Sequence, residues 1–214
     1  MSQSNLLNVL VALKTALNET EQLVVATGQW ASARFPPGIP KFTPRYKEII
    51  VRLAFLQTFL AWEEFIDESF TLYLLGMKPP RGRRPHRLHT PSKRKDAERF
   101  ILGADDYADW SKIHKVRERA KKYFRKGEPF DPALSAHQNM FDEMNTIRNA
   151  IAHSSKYSQK KFKSLVRRRL GTYPTGLTIG KFLTMNNPRS SYSETFIEYY
   201  LNRVIFVAEN IVPN

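Results

Sequence analysis

The stretch that decides the fold is residues 44–75, PRYKEIIVRLAFLQTFLAWEEFIDESFTLYLL. Apolar side chains recur in it three and four positions apart, which is the spacing of one face of an α-helix. Gly76 and the pair Pro79-Pro80 follow, and these residue types end helices. A helix this long with one apolar face predicts a domain of packed helices. The predicted core stripe comprises Leu53, Leu56, Phe59, Leu60, Ile66, Phe70 and Leu74.

The same helical spacing recurs on both sides of this stretch, and no segment alternates with the two-residue period of a strand. We therefore expect an all-α helical bundle whose first two helices form an antiparallel hairpin. A chain of 214 residues suits one domain, which we assign to residues 1–214. The other predicted helices cover about residues 4–27, 93–102, 107–125, 131–153, 158–170 and 193–212.

The charge balance indicates the kind of partner. The chain has 34 Lys and Arg against 20 Asp and Glu, a net charge of +14. Such an excess attracts polyanions, so nucleic acid or an anionic membrane surface is the leading class of partner. The densest run, residues 78–95, contains prolines and no acidic residue, and we expect it to be irregular and partly disordered within a basic insertion at about 78–126. The residues expected to bind RNA are Arg81, Arg83, Arg84, Arg87, Lys93, Arg94, Lys95, Lys160, Lys161, Arg167 and Arg168.

Several classes of function are disfavoured by what the sequence lacks. There is no cysteine, which excludes disulfides, thiolate metal sites and cysteine nucleophiles. No uncharged apolar run reaches the length of a membrane span, and residues 1–27 do not resemble a signal peptide, so we expect a cytoplasmic protein without membrane contact. The His86–His89 pair lacks a nearby carboxylate, and the aspartates at 105, 106 and 109 are typical of a helix cap. We expect no metal and no cofactor.

One short string combines residues suited to catalysis. Residues 147–153 read IRNAIAH, with Asn149 directly after Arg148 and His153 five positions after that arginine. Only this copy of the Arg-to-His spacing lies late in a predicted amphipathic helix, because the other two lie in the proline-broken basic run. The spacing occurs in the pairs Arg81–His86, Arg84–His89 and Arg148–His153.

In this string, and in its helical organisation from about residue 4 to 155 plus the closing helix, the chain resembles the HEPN superfamily and, within it, the RiboL-PSP branch. Ribonucleases of that superfamily carry Arg, then often Asn, Asp or His, then His at this spacing near a helix end. The resemblance implies that Arg148 stabilises the transition state, His153 transfers a proton and Asn149 positions them. It also implies a homodimer with a composite cleft, and a prokaryotic defence or toxin–antitoxin role with an antitoxin or regulatory partner.

A carboxylate inside the apolar stripe is the fourth candidate site residue. Glu63 falls between Phe59, Ile66 and Phe70 on the helical face. A bare buried carboxylate costs several kcal/mol, so the side chain must be paired or must face a site. It is similar to an acidic position that many family members carry on their second helix, where it is expected to hold Arg148. Glu64 is the second candidate, and a purely structural ion pair is the alternative.

The chemistry of these residues suits RNA cleavage without a metal ion. The 2′-hydroxyl of RNA can attack its own phosphate, which requires a proton acceptor that works near neutral pH, and histidine is such a group. An arginine fork can stabilise the charge that develops on phosphorus. Two alternatives remain open: a catalytically silent HEPN-like module that binds RNA or nucleotide, and a basic helical adaptor in a nucleoprotein complex.

Overall fold

The computed structural model describes residues 5–32, 41–103, 106–153 and 155–214. Within these ranges there is no strand, only two isolated bridges that pair Arg87 with Phe124 and Asn186 with Thr195. The prediction of an all-α protein is confirmed. The helices are α1 (Leu6–Ser32), α2 (Pro44–Leu74), α3 (Arg94–Leu102), α4 (Ile113–Tyr123), α5 (Phe130–Ser135), α6 (Gln138–Ala152), α7 (Lys156–Leu170), α8 (Ile179–Thr184) and α9 (Phe196–Ile211).

Helix α2 ends where the sequence predicted, at a glycine. Gly76 has φ 89°, and the N–H of Met77 donates to the carbonyl of Leu72 at 2.9 Å. This is the usual way in which a left-handed residue closes a helix. A Cβ at Gly76 would also lie 2.7 Å from the guanidinium carbon of Arg87. The backbone angle therefore favours glycine here, and any side chain would also have to displace the guanidinium of Arg87.

The predicted helix 131–153 is wrong, because two helices, α5 and α6, cover this range. In a continuous helix the carbonyl of Ala133 would accept from the backbone N–H of His137. Here Nδ1 of the His137 ring lies 3.1 Å from that carbonyl, and the backbone N–H turns to Leu134 instead. A side chain thus competes with the helix for one acceptor. Helix α8, capped by the Thr178 hydroxyl, was also not predicted, since it lies between the predicted helices at about 158–170 and 193–212.

The chain divides into two compact units, each with its own aromatic core. The first unit comprises residues 1–15, 61–142 and 203–214, and the second comprises 16–60 and 143–202. In the first, the Phe70 ring lies 5.1 Å from that of Phe124 and 4.8 Å from that of Phe130. In the second, the Phe182 and Phe196 rings stack at 4.2 Å. The assignment of all 214 residues to one domain stays a prediction.

The basic segment, residues 78–95, is irregular up to the start of α3, as predicted. Its backbone is nevertheless bonded at several points to the rest of the first unit. Arg81 N–H donates to the carbonyl of Pro213 at 3.0 Å, and Arg125 N–H donates to that of His86 at 2.9 Å. Leu88 N–H donates to the carbonyl of Tyr123 at 2.8 Å. These bonds correct the expectation of partial disorder, because they supply the partners that an irregular backbone otherwise finds in water.

Two leucines of the predicted core stripe lie on the surface instead. Leu53 and Leu60 are 58% and 57% exposed, whereas the intervening Phe55 and Phe59 are buried. Both exposed leucines belong to the second unit and lie seven positions apart, so they share one face of α2. The apolar stripe of α2 is thus wider than its own core requires.

Candidate functional site

Arg148, Asn149 and His153 all lie at the carboxyl end of α6 in the second unit. Arg148 Nη1 donates to Oδ1 of Asn149 at 3.1 Å, and Asn149 Nδ2 donates to Oδ1 of Asn145 at 3.1 Å. Arg148 and Asn149 are half-buried, and His153 is exposed. Among the described residues the His153 ring has no hydrogen-bond partner. The guanidinium group is therefore oriented from one side, and the imidazole is open to a ligand.

The backbone of His153 is held by the start of α7. Ser158 Oγ donates to the His153 carbonyl at 2.6 Å, and Gln159 Nε2 donates to the carbonyl of Ala150 at 3.0 Å. Ser155 caps α7, since its hydroxyl accepts from the N–H of Ser158 at 3.2 Å. Two carbonyls at this end of the helix, those of Ala150 and His153, thus have protein partners. Sequence reasoning missed this turn, although serines three apart before an apolar run are typical of a helix start.

Helix α7 presents a row of cations directly after the motif. It contains seven Lys and Arg and no acidic residue. The predicted residues Lys160, Lys161, Arg167 and Arg168 are exposed, and the prediction omitted Lys156 and Lys163, which are exposed too. The ammonium group of Lys161 lies 5.3 Å from the ring centroid of Tyr157, which is 69% exposed. A cation beside an exposed aromatic ring can contact both the phosphate and the base of a nucleotide.

A buried carboxylate on α6 is the residue that sequence reasoning missed. Glu143 is 7% exposed, and its Oε2 accepts from Nε of Arg169 at 2.9 Å and from Nη2 at 2.5 Å. The Tyr200 hydroxyl donates to the same oxygen at 3.3 Å. The guanidinium of Arg169 also lies 5.4 Å from the ring centroid of Tyr199. Glu143 thereby joins α6 to the end of α7 and the start of α9 within the second unit.

The electrostatics of this cluster indicate a structural role. Burial opposes the charge of Arg169, but the hydrogen bonds to Glu143 raise its pKa above the usual range. Burial, together with the charge of Glu143, raises the pKa of Tyr200 well above 10.0. The mostly buried pair of Glu143 and Arg169 therefore holds helices together. Its hydrogen-bonding atoms contact other protein groups and are not left for a ligand.

Glu63 lies in α2, in the first unit, and is half-buried between the buried residues Trp62 and Phe65. It is not an unpaired carboxylate, since it has an interaction partner. Glu64 is exposed. The motif residues belong to the second unit, so pairing between Glu63 and Arg148 stays a prediction.

The basic segment contains two kinds of cation. Arg87 Nη1 donates to the carbonyl of Leu74 at 2.9 Å, and Arg94 is held by Glu68 and, at 2.9 Å, by Glu98. The hydrogen bonds that Arg94 donates to Glu68 raise the pKa of the arginine. These two guanidinium groups are used within the protein. The remaining predicted cations have exposed side chains without an ion-pair partner among the described residues: Arg81, Arg83, Arg84, Lys93 and Lys95.

The residues weighed as metal ligands have other surroundings. Asp109 accepts from Lys112 Nζ at 2.7 Å and from the Ser111 hydroxyl at 2.6 Å. The His89 ring packs 5.5 Å from that of Tyr123. Asp105 lies outside the described residues. In the described ranges no three His, Asp or Glu side chains are grouped so that they could hold a metal ion. The same ranges contain no helix with the length and apolar character needed to cross a membrane.

No family model, curated protein or solved structure matches this chain. The resemblance to the HEPN superfamily therefore depends on the motif and its setting at the end of α6. The geometry of these residues has to carry any functional proposal.

Proposed function

We propose that this chain is a HEPN-type endoribonuclease that cleaves RNA by attack of the 2′-hydroxyl, without a metal ion. One observation carries the proposal, and it concerns two residues five positions apart at the end of α6. The guanidinium of Arg148 is oriented by Asn149, and the exposed His153 has its backbone bonded to α7. That helix displays cations and no acid, which favours a phosphate backbone beside His153.

The reaction needs two proton transfers and one stabilised charge. His153 accepts the proton of the 2′-hydroxyl, and the 2′-oxygen forms a bond to phosphorus. The bond from phosphorus to the 5′-oxygen then breaks, and the leaving oxygen takes a proton from an imidazolium. Arg148 stabilises the charge on the non-bridging oxygens during this exchange. The products are a 2′,3′-cyclic phosphate and a 5′-hydroxyl.

A homodimer would supply two copies of the motif, one for each proton transfer. The exposed leucines Leu53 and Leu60 support an association surface on the second unit, which also carries the motif. Beside Leu53 a pocket of about 370 Å³ runs between α1 and α2, with Leu23 in its lining. Apolar surface of this kind is what a two-fold interface buries. A cytoplasmic defence or toxin role, an antitoxin or regulatory partner, and the positioning role of Glu63 belong to the same proposal.

The exposed cations of α7 also favour a second candidate, a silent module or basic adaptor that binds RNA without cutting it. Lys160 and Lys161 can hold phosphates whether or not His153 acts as a base. A silent module would bind RNA with strong salt dependence and leave it intact. Cleavage that requires His153 contradicts this candidate.

The deciding experiment is product analysis on a defined RNA with the purified chain, in EDTA and in magnesium. We expect cleavage in EDTA, no cleavage of DNA, and no cleavage where the target nucleotide carries 2′-O-methyl. Mass spectrometry should identify a 2′,3′-cyclic phosphate and a 5′-hydroxyl. His153→Ala, purified in parallel, controls for contaminating ribonuclease. A 5′-phosphate product, or activity only with a divalent ion, contradicts the mechanism.

A further inference from the structure

A pocket of about 590 Å³ lies within the first unit, and the proposed function does not use it. It lies among the basic segment, α5 and the end of α9, and its walls are mainly apolar, with five prolines and the ring of Phe206. Small-molecule sites in proteins have this size and this mixture of apolar walls with few polar groups. None of the residues of the proposed RNA-cleaving motif lines it.

Two arginines give the pocket a positive rim. Arg83 and Arg84 line it, and neither has an ion-pair partner among the described residues. The backbone just before them is held by the end of the chain, because Arg81 N–H donates to the Pro213 carbonyl at 3.0 Å. Gly82 has φ 86°, and a Cβ there would lie 3.5 Å from Cγ of the same proline. One carboxylate, Glu128, also lines the pocket. The two adjacent guanidinium groups favour an anion that carries more than one negative charge.

The interior combines an aromatic surface with groups that bond selectively. Phe206 is 47% exposed although it belongs to the apolar pattern of the closing helix. Its ring lies 5.6 Å from that of His137. With Nδ1 of His137 bonded to Ala133, its Nε2 remains for a ligand. Asn210, exposed at the rim, offers an amide that can both donate and accept.

We propose that this pocket binds a nucleoside 5′-phosphate, either as a free nucleotide or as the 5′ end of an RNA strand. The base stacks on Phe206, the phosphate lies against Arg83 and Arg84, and Glu128 can accept from the ribose hydroxyls. Each part of such a ligand thus has a partner in the lining of the pocket. The inference does not depend on the proposed ribonuclease activity, since it uses neither the motif residues Arg148, Asn149 and His153 nor the cations of α7.

The test is calorimetric titration of the full chain with adenosine 5′-monophosphate, adenosine and inorganic phosphate. We expect saturable binding of the monophosphate with one ligand per chain, and binding of adenosine and of phosphate at least about tenfold weaker. Equal affinity for phosphate and the monophosphate would overturn the proposal, since it would mean that only charge is recognised. So would the absence of saturable binding of the monophosphate at millimolar concentration.

Variants separate the pocket from general positive charge. The double variant Arg83→Gln/Arg84→Gln should weaken binding of the monophosphate at least about tenfold. Lys93→Gln/Lys95→Gln removes the same charge from the same segment, outside the pocket lining, and should change it less than about twofold. An equal loss in both double variants would overturn the proposal.

Two further variants test the interior. Ala136→Trp fills the pocket from an exposed position at the end of α5, and it should abolish binding while leaving the melting temperature close to that of the parent. Phe206→Ala removes the stacking surface and should weaken binding of the monophosphate more than that of phosphate. Unchanged affinity in Ala136→Trp would place the ligand elsewhere and overturn the proposal.

The source of the nucleotide is distinguished by competition. A short RNA with 2′-O-methyl groups throughout cannot be cut, and it can be prepared with a 5′-phosphate or a 5′-hydroxyl. Displacement of the monophosphate by the phosphorylated strand alone identifies a strand end as a ligand. Displacement by neither strand identifies the free nucleotide. Arg148→Ala should bind the monophosphate as the parent does, so failure of the cleavage mechanism leaves this result intact.

Discussion

Asn149 holds Arg148 by a hydrogen bond of 3.1 Å between two consecutive residues of one helix. Consecutive side chains point about 100° apart around a helix. The contact forms because the arginine side chain is long enough to bend around the helix to the asparagine. The amide group of Asn149 is fixed in turn by Asn145, one turn earlier. Two successive side-chain amides, those of Asn145 and Asn149, thus orient Arg148.

We expect Asn149→Ala to lower the rate of RNA cleavage by about tenfold to a hundredfold, because a guanidinium that is not oriented stabilises the transition state less well. The affinity for RNA should change much less. Single-turnover rates and binding isotherms on the same oligonucleotide measure the two effects. Asn145→Ala, which leaves the direct contact in place, should have the smaller effect on rate. A larger loss of cleavage rate in Asn145→Ala than in Asn149→Ala would contradict the role of Asn149 as the direct partner of Arg148.

Arg148→Ala and His153→Ala should each abolish cleavage while changing the free energy of unfolding by no more than about 1 kcal/mol, as is usual for site residues that are not in the core. Urea unfolding and cleavage assays measure both. His114→Ala is the matched control, since His114 is an exposed histidine of α4 in the first unit. His86→Ala, in the basic segment, should also keep activity. An active His153→Ala protein would show that the wrong histidine was chosen.

The cations of α7 should contribute affinity rather than chemistry. Lys160→Gln/Lys161→Gln should weaken RNA binding and flatten the slope of log K against log salt by roughly 0.7 for each lost contact with a single-stranded phosphate. The same substitutions at Lys93 and Lys95 measure what the basic segment contributes. An unchanged slope in the α7 variant would mean that RNA does not contact this face.

Removing the buried carboxylate should cost far more stability than removing a site residue. Glu143→Ala leaves Arg169 buried without its partner, so we expect a loss of about 3–5 kcal/mol in the free energy of unfolding. Tyr200→Phe removes one hydrogen bond and should cost about 1 kcal/mol. Denaturant unfolding measures both. Glu21→Ala, at an exposed position of α1, serves as the control and should stay within about 0.5 kcal/mol. A mild Glu143→Ala phenotype would contradict the structural role.

The dimer prediction can be tested at the exposed leucines. If Leu53 and Leu60 lie in a two-fold interface, Leu53→Glu/Leu60→Glu should give a monomer, because each charge would be buried against its own copy. Sedimentation at micromolar concentration measures the change. The double variant should keep its melting temperature, since both side chains are mostly exposed. A parent protein that is an active monomer would rule out a composite cleft.

The sequence predicted the fold class and most helices because apolar periodicity and glycine or proline stops are local signals. It did not predict the break between α5 and α6, which arises when the His137 ring takes the carbonyl of Ala133 from its own backbone. The periodicity of apolar residues does not show whether a side chain or a backbone N–H will bond to a given carbonyl. The apolar periodicity also placed Leu53 and Leu60 in the core, although both are exposed. A sequence pattern does not distinguish an apolar face that is buried from one that extends beyond the core.

For the candidate site, the sequence singled out Arg148, Asn149 and His153 by their spacing but did not predict what surrounds them. The rule that singled out Glu63, an acid within an apolar stripe, applies equally to Glu143 between Met140 and Met144, which was overlooked. The contacts of Glu143 with Arg169 and Tyr200 join residues 26 and 57 positions away, and local patterns do not contain such distances.

The bond between Ser158 and the His153 carbonyl has a consequence for where an RNA strand would be cut. It ties the backbone of His153 directly to the first turn of α7, the helix that carries the row of cations. In the proposed enzyme, the cleaved bond therefore lies at a constant distance along the strand from the phosphates that the α7 cations bind.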